Sequence, residues 1–123
     1  MEPTDAKRDL LELREIVRTF VREREWEQFH TPKNLAIALS VEASELLEPF
    51  QWLATGERHE LGQAKLEAVR HEMADVLTYL ISLADKLDVD LREAVIDKMA
   101  INRAKYPVEK VKGDSRKYTD YET

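Results

Sequence analysis

A chain of 123 residues with 43% hydrophobic and 36% charged side chains has the length of about one domain and enough apolar content for a core, which excludes wholesale disorder. Three Gly and four Pro are too few for a turn-rich β-sandwich or barrel, and the lack of cysteine excludes a disulfide framework, a thiolate zinc site and a cysteine nucleophile. A net charge of −6 opposes a nucleic-acid polymer as partner, while leaving room for a small phosphate ligand bridged to carboxylates by a metal.

The opening residues, Met1-Glu2-Pro3-Thr4-Asp5, lack the basic and apolar regions of a signal peptide. No run of ~18 apolar residues follows, so the expectation is a cytoplasmic protein with no membrane span. Over residues 4–28, Leu10, Leu13, Val17, Phe20 and Val21 recur at three- and four-residue steps and predict a helix, capped by Thr4 or Asp5. Thr31 suits an N-cap and Pro32 a first helical position, so a second helix is expected over residues 32–53, kinked at Pro49 and closed by Gly56. Residues 57–63 read as a polar connection. Leu66, Val69, Met73, Val76, Leu77, Leu80, Ala84 and Leu87 then predict a third helix over residues 64–87. Asp88 or Asp90 can cap a fourth helix from Leu91 to about Lys105, which Pro107 stops. The reading is an all-α chain: a helical domain over residues 1–107, arranged as a four-helix-type bundle, and a C-terminal tail over residues 108–123, either solvated or ordered over a ligand.

Helix geometry turns four acids into a spatial expectation. Each residue advances roughly 100° around the axis, so with Leu39 as origin Leu35, Leu46, Phe50 and Leu53 fall within about 40°. Glu42 then lies at about −60° and Glu45 at about −120°. With Val69 as origin, Glu72 and Asp75 take the same two offsets on the third helix. Packing the two stripes together brings four carboxylates to one cleft at the edge of the core. Crowded carboxylates repel and their pKa values rise unless a cation intervenes. Magnesium accepts an all-oxygen shell and leaves room for water and substrate phosphates. The alternative is that these i, i+3 acids are solvated and pair with Lys or Arg. Glu48 points about 180° from Leu39 on a straight helix. Glu27-Gln28-Phe29-His30 also fits the Glu-x-x-His of di-iron bundles, but that architecture needs two copies, and Glu67 is followed three residues later by Arg70. Lys98, Asn102 and Tyr106 form one column on the fourth helix.

These residues resemble a known family. Glu42-x-x-Glu45 followed by Glu72-x-x-Asp75 is similar to the acidic motifs of the all-α nucleoside triphosphate pyrophosphohydrolases, the MazG-like superfamily. The surrounding chain narrows the resemblance to the dCTP pyrophosphatase branch. It rests on Trp26-Glu27-Gln28-Phe29-His30 with Pro32 and Asn34-Leu35, then Glu45-Leu46 and Phe50-Gln51-Trp52, then Asp75-Val76-Leu77 with Tyr79-Leu80. It continues through Val89-Asp90-Leu91, Ala94-Val95-Ile96, Lys98-Met99, Asn102-Arg103, Tyr106-Pro107-Val108 and Lys117-Tyr118-Thr119-Asp120, so that residues 22–120 are covered.

The resemblance implies cleavage between the α and β phosphates of dCTP or a modified dCTP, giving a nucleoside monophosphate and pyrophosphate. It implies Mg2+ on Glu42, Glu45, Glu72 and Asp75, with Glu45 and Glu42 as the catalytic carboxylates and Glu48 as a helper. The base pocket would fall to Trp26, His30 and Trp52, with Tyr79 against the sugar. Lys98, Asn102 and Tyr106 would face the phosphates and nucleotide, joined by Arg103 and Lys117. Members assemble as homodimers or homotetramers with shared pockets. The residues themselves leave two alternatives: a broad house-cleaning pyrophosphohydrolase acting on other or damaged nucleotides, and a non-catalytic helical interaction module.

Overall fold

The apolar stripes become helices in the structure, a computed structural model that describes residues 5–113. In chain order these are α1 (Asp5–Glu23), α2 (Pro32–Leu47), α3 (Arg58–Lys86), α4 (Leu91–Lys105) and the single turn α5 (Val108–Val111). Two 3-10 turns, Glu27–Phe29 and Glu48–Phe50, follow α1 and α2, and no strand occurs among the described residues. The chain divides into two compact units between Val89 and Asp90.

In the first unit α2 packs most extensively on α3, and α1 packs more lightly on α3. The buried apolar side chains are Leu35 from α2, only 1% exposed, and Leu61, Val69, Ile81 and Ala84 from α3. Val69 and Leu35 belong to the stripes that the periodicity marked, so the core seam is the one that sets the acids at its edge.

The helix ends differ from expectation where cap chemistry decides. Thr31 caps α2 as read: its hydroxyl accepts the Asn34 N–H at 3.2 Å, with Pro32 in the first turn. α2 stops at Leu47 rather than running on through Pro49. Proline offers no N–H to the Glu45 carbonyl, which instead accepts from Glu48, and the chain tightens into the 3-10 turn Glu48–Phe50. α1 stops at Glu23, short of the expected Gln28. The Trp26 N–H returns to the Val21 carbonyl at 3.1 Å and the Glu25 N–H to the Arg22 carbonyl at 3.1 Å, with Glu25 at φ 52°. This is a Schellman ending, with a glutamate where glycine is usual. α3 ends the same way, with Asp88 at φ 56° and Val89 N–H on the Ala84 carbonyl at 2.8 Å.

The expected polar connection before α3 is itself a helical turn, broken from the long helix at Gly62 (φ 71°, ψ 172°). Glu60 organises it. Its carboxylate accepts the N–H groups of Ala54, Thr55 and Gly56 at 3.1, 3.1 and 2.9 Å, and the Thr55 hydroxyl as well.

In the second unit Asp90 caps α4, its carboxylate accepting the Glu93 N–H at 3.0 Å. α4 closes with the Tyr106 N–H on the Asn102 carbonyl at 2.8 Å, and Pro107 follows. α5 stands at the head of the expected tail; residues 114–123, with Lys117, lie outside the described residues. Among the described residues no helix is long and apolar enough to cross a membrane.

Candidate active site

Three of the four predicted acids meet. Glu42 and Glu45 from α2 and Glu72 from α3 are half-buried, and a carboxylate oxygen from each lies within 4.8 Å of the other two. Glu42 Oε2 and Glu72 Oε2 are buried with no hydrogen-bond donor among the described residues. An orphaned buried carboxylate oxygen is costly, and two on neighbouring carboxylates are more so. Burial first, then the neighbouring carboxyls of Glu45 and Glu72 and the charge of Asp75, push Glu42 up to about 7. A hard divalent cation is the partner such an oxygen set fits. Asp75, the fourth acid, is exposed one turn beyond Glu72, outside the three clustered acids but near enough for its charge to raise Glu42.

Asp75 also lines a pocket of ≈ 420 Å³ between α1 and α3. Its α3 wall continues through Thr78, Tyr79 and Ser82; its α1 wall is Ile16, Val17, Phe20 and Val21; Trp26 and His30 complete it. The Schellman ending of α1 explains why Trp26 is there. By placing Trp26 back against the helix it has just left, it sets the indole edge-on to Phe20 at 5.7 Å, while the His30 ring lies 6.4 Å from Trp26. The Arg24 guanidinium covers the Phe20 ring at 3.8 Å. Because Asp75 borders both features, the carboxylate cluster and the aromatic pocket adjoin, one suited to a cation and phosphates and the other to a flat ring.

A family model described as MazG-like matches residues 37–121, most of the chain. The chain belongs to the MazG-like family. This MazG-like chain is 46% identical to dCTP pyrophosphatase 1 of Homo sapiens over 121 residues, covering 97% of itself and 68% of that relative. It is 45% identical to dCTP pyrophosphatase 1 of Mus musculus with the same coverage. A crystal structure of a pyrophosphatase from Archaeoglobus fulgidus DSM 4304 is similar in fold, with a TM-score of 0.75 at 44% identity, covering 80% of this chain and 93% of that one.

The other expected residues of the MazG-like site fall in both units. Glu48 is exposed in the 3-10 turn after α2 and is not among the three clustered acids. Trp52 is 87% exposed just beyond that turn and does not line the pocket. Lys98 and Arg103 are exposed on α4, and Asn102 and Tyr106 are half-buried, all in the second unit. Sequence reasoning missed the α1 wall, because Val17, Phe20 and Val21 read as ordinary core stripe. It also missed Thr78 and Ser82, whose small hydroxyls at helical spacing from Tyr79 and Asp75 carry no signal of their own.

Proposed function

We propose that this MazG-like pyrophosphohydrolase acts on dCTP, adding water across the α–β phosphoanhydride to release dCMP and pyrophosphate with Mg2+ as its cofactor. The observation that carries the reading is the pair of donorless buried oxygens on Glu42 and Glu72, next to an aromatic pocket that shares Asp75 with them. The dCTP pyrophosphatases to which the chain is similar support the choice of substrate. Glu42, Glu45, Glu72 and Asp75 would hold the cation. A bound divalent cation would supply charge neutralisation for the phosphates and activation of water.

The chain's own groups do the rest. Trp26 and His30 stack the base, at about 1–3 kcal/mol per stacked ring, and Tyr79 packs against the sugar. Asp75, which also lines the pocket, would set the cation beside the bound nucleotide. Glu45 orients the attacking water and accepts its proton. The family resemblance would add Trp52 to the base pocket and assign Lys98, Asn102, Tyr106, Arg103 and Lys117 to the phosphates and nucleotide. Glu48 serves as a helper to the carboxylates. The exposed apolar side chains of α2, α3 and α4 support assembly as a homodimer or homotetramer in which pockets are shared.

Product analysis over a panel of canonical and modified triphosphates, with magnesium and with chelator, tests this. The expected result is dCMP and pyrophosphate, strongest from dCTP and abolished by chelator and by Glu45→Ala or Asp75→Ala. Equal turnover of unrelated nucleotides would replace the substrate with a broad one, and no turnover of any triphosphate would overturn the reading.

A further inference from the structure

A polar link ties the α1 wall of the pocket to α3. The Arg18 Nε donates to Asp85 Oδ2 at 2.7 Å and Nη2 donates to Oδ1 at 2.5 Å, a two-point grip between residues 67 apart in sequence. Among the described residues no other side-chain hydrogen bond joins α1 to α3. Arg18 is itself steadied by Glu15, one turn back, at 2.8 Å. Both members line a smaller cleft of ≈ 190 Å³ that shares Val17, Val21, His30 and Ser82 with the pocket. Those four residues border both spaces, and the ion pair lines the smaller one beside them.

Apolar packing is non-directional, so Val17, Phe20 and Val21 alone allow α1 to slide or roll on α3. A forked guanidinium on a carboxylate fixes distance and orientation together. Asp85 follows Ser82 by three residues and Arg18 precedes Val21 by three, so the grip acts one helical turn from each wall of the pocket.

We propose that Arg18 and Asp85 are positioning residues that set the width of the pocket, and so govern nucleotide affinity without touching the nucleotide. The inference rests on the pocket being the base site of the proposed reaction. Loosening the grip should weaken ground-state and transition-state binding alike, which raises KM and spares kcat.

The test is a double-mutant cycle with Arg18→Ala, Asp85→Asn and the pair combined, on variants whose helicity and melting are checked first. Each single variant should raise KM for dCTP by about three- to tenfold with kcat within about twofold, and the double variant should be no worse than the weaker single. Unchanged KM in folded single variants, or effects that multiply in the double, would overturn the proposal. If Arg18→Ala does not fold, Arg18→Lys keeps the charge without the fork and should give an intermediate KM; a wild-type KM there would count against the grip. Trp26 emission, read in a Trp52→Phe background, separates this inference from the substrate reading. With no nucleotide present, emission should shift to the red in both single variants as the α1 wall, with Phe20 and Trp26 on it, loosens from α3 and admits water. If wild-type protein cleaves no triphosphate, the functional reading falls and the emission alone decides the grip. Emission unchanged in both variants would then overturn it.

Discussion

At the scale of single residues, Glu42 sets stability against activity. Its carboxyl is pushed from 4.5 up to about 7, by burial before anything else. The folded chain thus keeps a proton that the unfolded chain has released, so between those two values the cation-free protein loses stability as pH rises. A divalent cation must displace the same proton, so its affinity grows across that window. Glu42→Gln removes the titration. In chelator its melting temperature should gain on wild type as pH is raised from about 5 to about 8, while turnover with magnesium drops by about 100-fold or more. Parallel melting curves at every pH would contradict this. Glu25 is a second residue held in an unfavourable state. A side chain in the left-handed region costs about 1–2 kcal/mol per residue, and Glu has no local hydrogen bond to offset it as Asp does. Glu25→Gly should therefore raise stability by about 1 kcal/mol in denaturant titration, and Asp88→Gly by less. Of the site, the meeting of Glu42, Glu45 and Glu72 was legible because two helices repeat one offset from their stripes. The left-handed glutamate was not, since its conformation follows from bonds that Trp26 makes behind it.

At the scale of elements, the helix bodies were readable and several of their ends were not. A stripe such as Leu66 to Leu87 fixes a helix through its whole length, and Thr31 and Asp90 announce their caps by side-chain chemistry. Pro49 announces only that something must change, and the change is a terminated helix rather than a kink. The turn after Trp52 depends on Glu60, a residue whose role appears only when the loop has folded onto it. The Thr55 hydroxyl first, and the backbone N–H groups of Thr55, Ala54 and Gly56 with it, hold the Glu60 carboxyl down to about 2. Its stabilising effect is therefore present above pH 4.5 and is lost as pH falls through about 2. Gly56 seals the same loop against Phe50. A Cβ there would meet Phe50 Cδ1 at 2.6 Å, at a φ of +77°, whereas at Gly62 (φ +71°) it would meet nothing within 4 Å. Gly56→Ala should cost about 3–4 kcal/mol, strain and clash together, and Gly62→Ala about 2 kcal/mol from strain alone. Equal denaturation midpoints for the two variants would show that the Phe50 contact yields freely.

At the scale of the whole molecule, the single chain leaves much of its apolar surface in water. Ile37 and Val41 of α2, Met73, Leu77 and Leu80 of α3, and Val95, Ile96 and Met99 of α4 are all exposed, as is Trp52. Scattered exposed apolar residues are ordinary. Met73, Leu77 and Leu80 are not scattered: steps of four and three set them in one column along α3, as Ile37 and Val41 are set along α2. The sequence alone could not separate this surface from core, because an apolar stripe looks the same whether another helix of its own chain covers it or a second copy does. The proposed oligomer would cover it with a second copy. If association covers these columns, the folded state is coupled to protomer concentration, and melting temperature must rise with it. Light scattering should then give a multiple of 14.3 kDa at micromolar concentration. Leu77→Glu, placing a charge in the middle of the α3 column, should move the mass toward one chain and lower the melting temperature. A mass of one chain at every concentration, with melting independent of concentration, would show that the columns stay in water and that each chain folds on Leu35, Leu61, Val69, Ile81 and Ala84 without help.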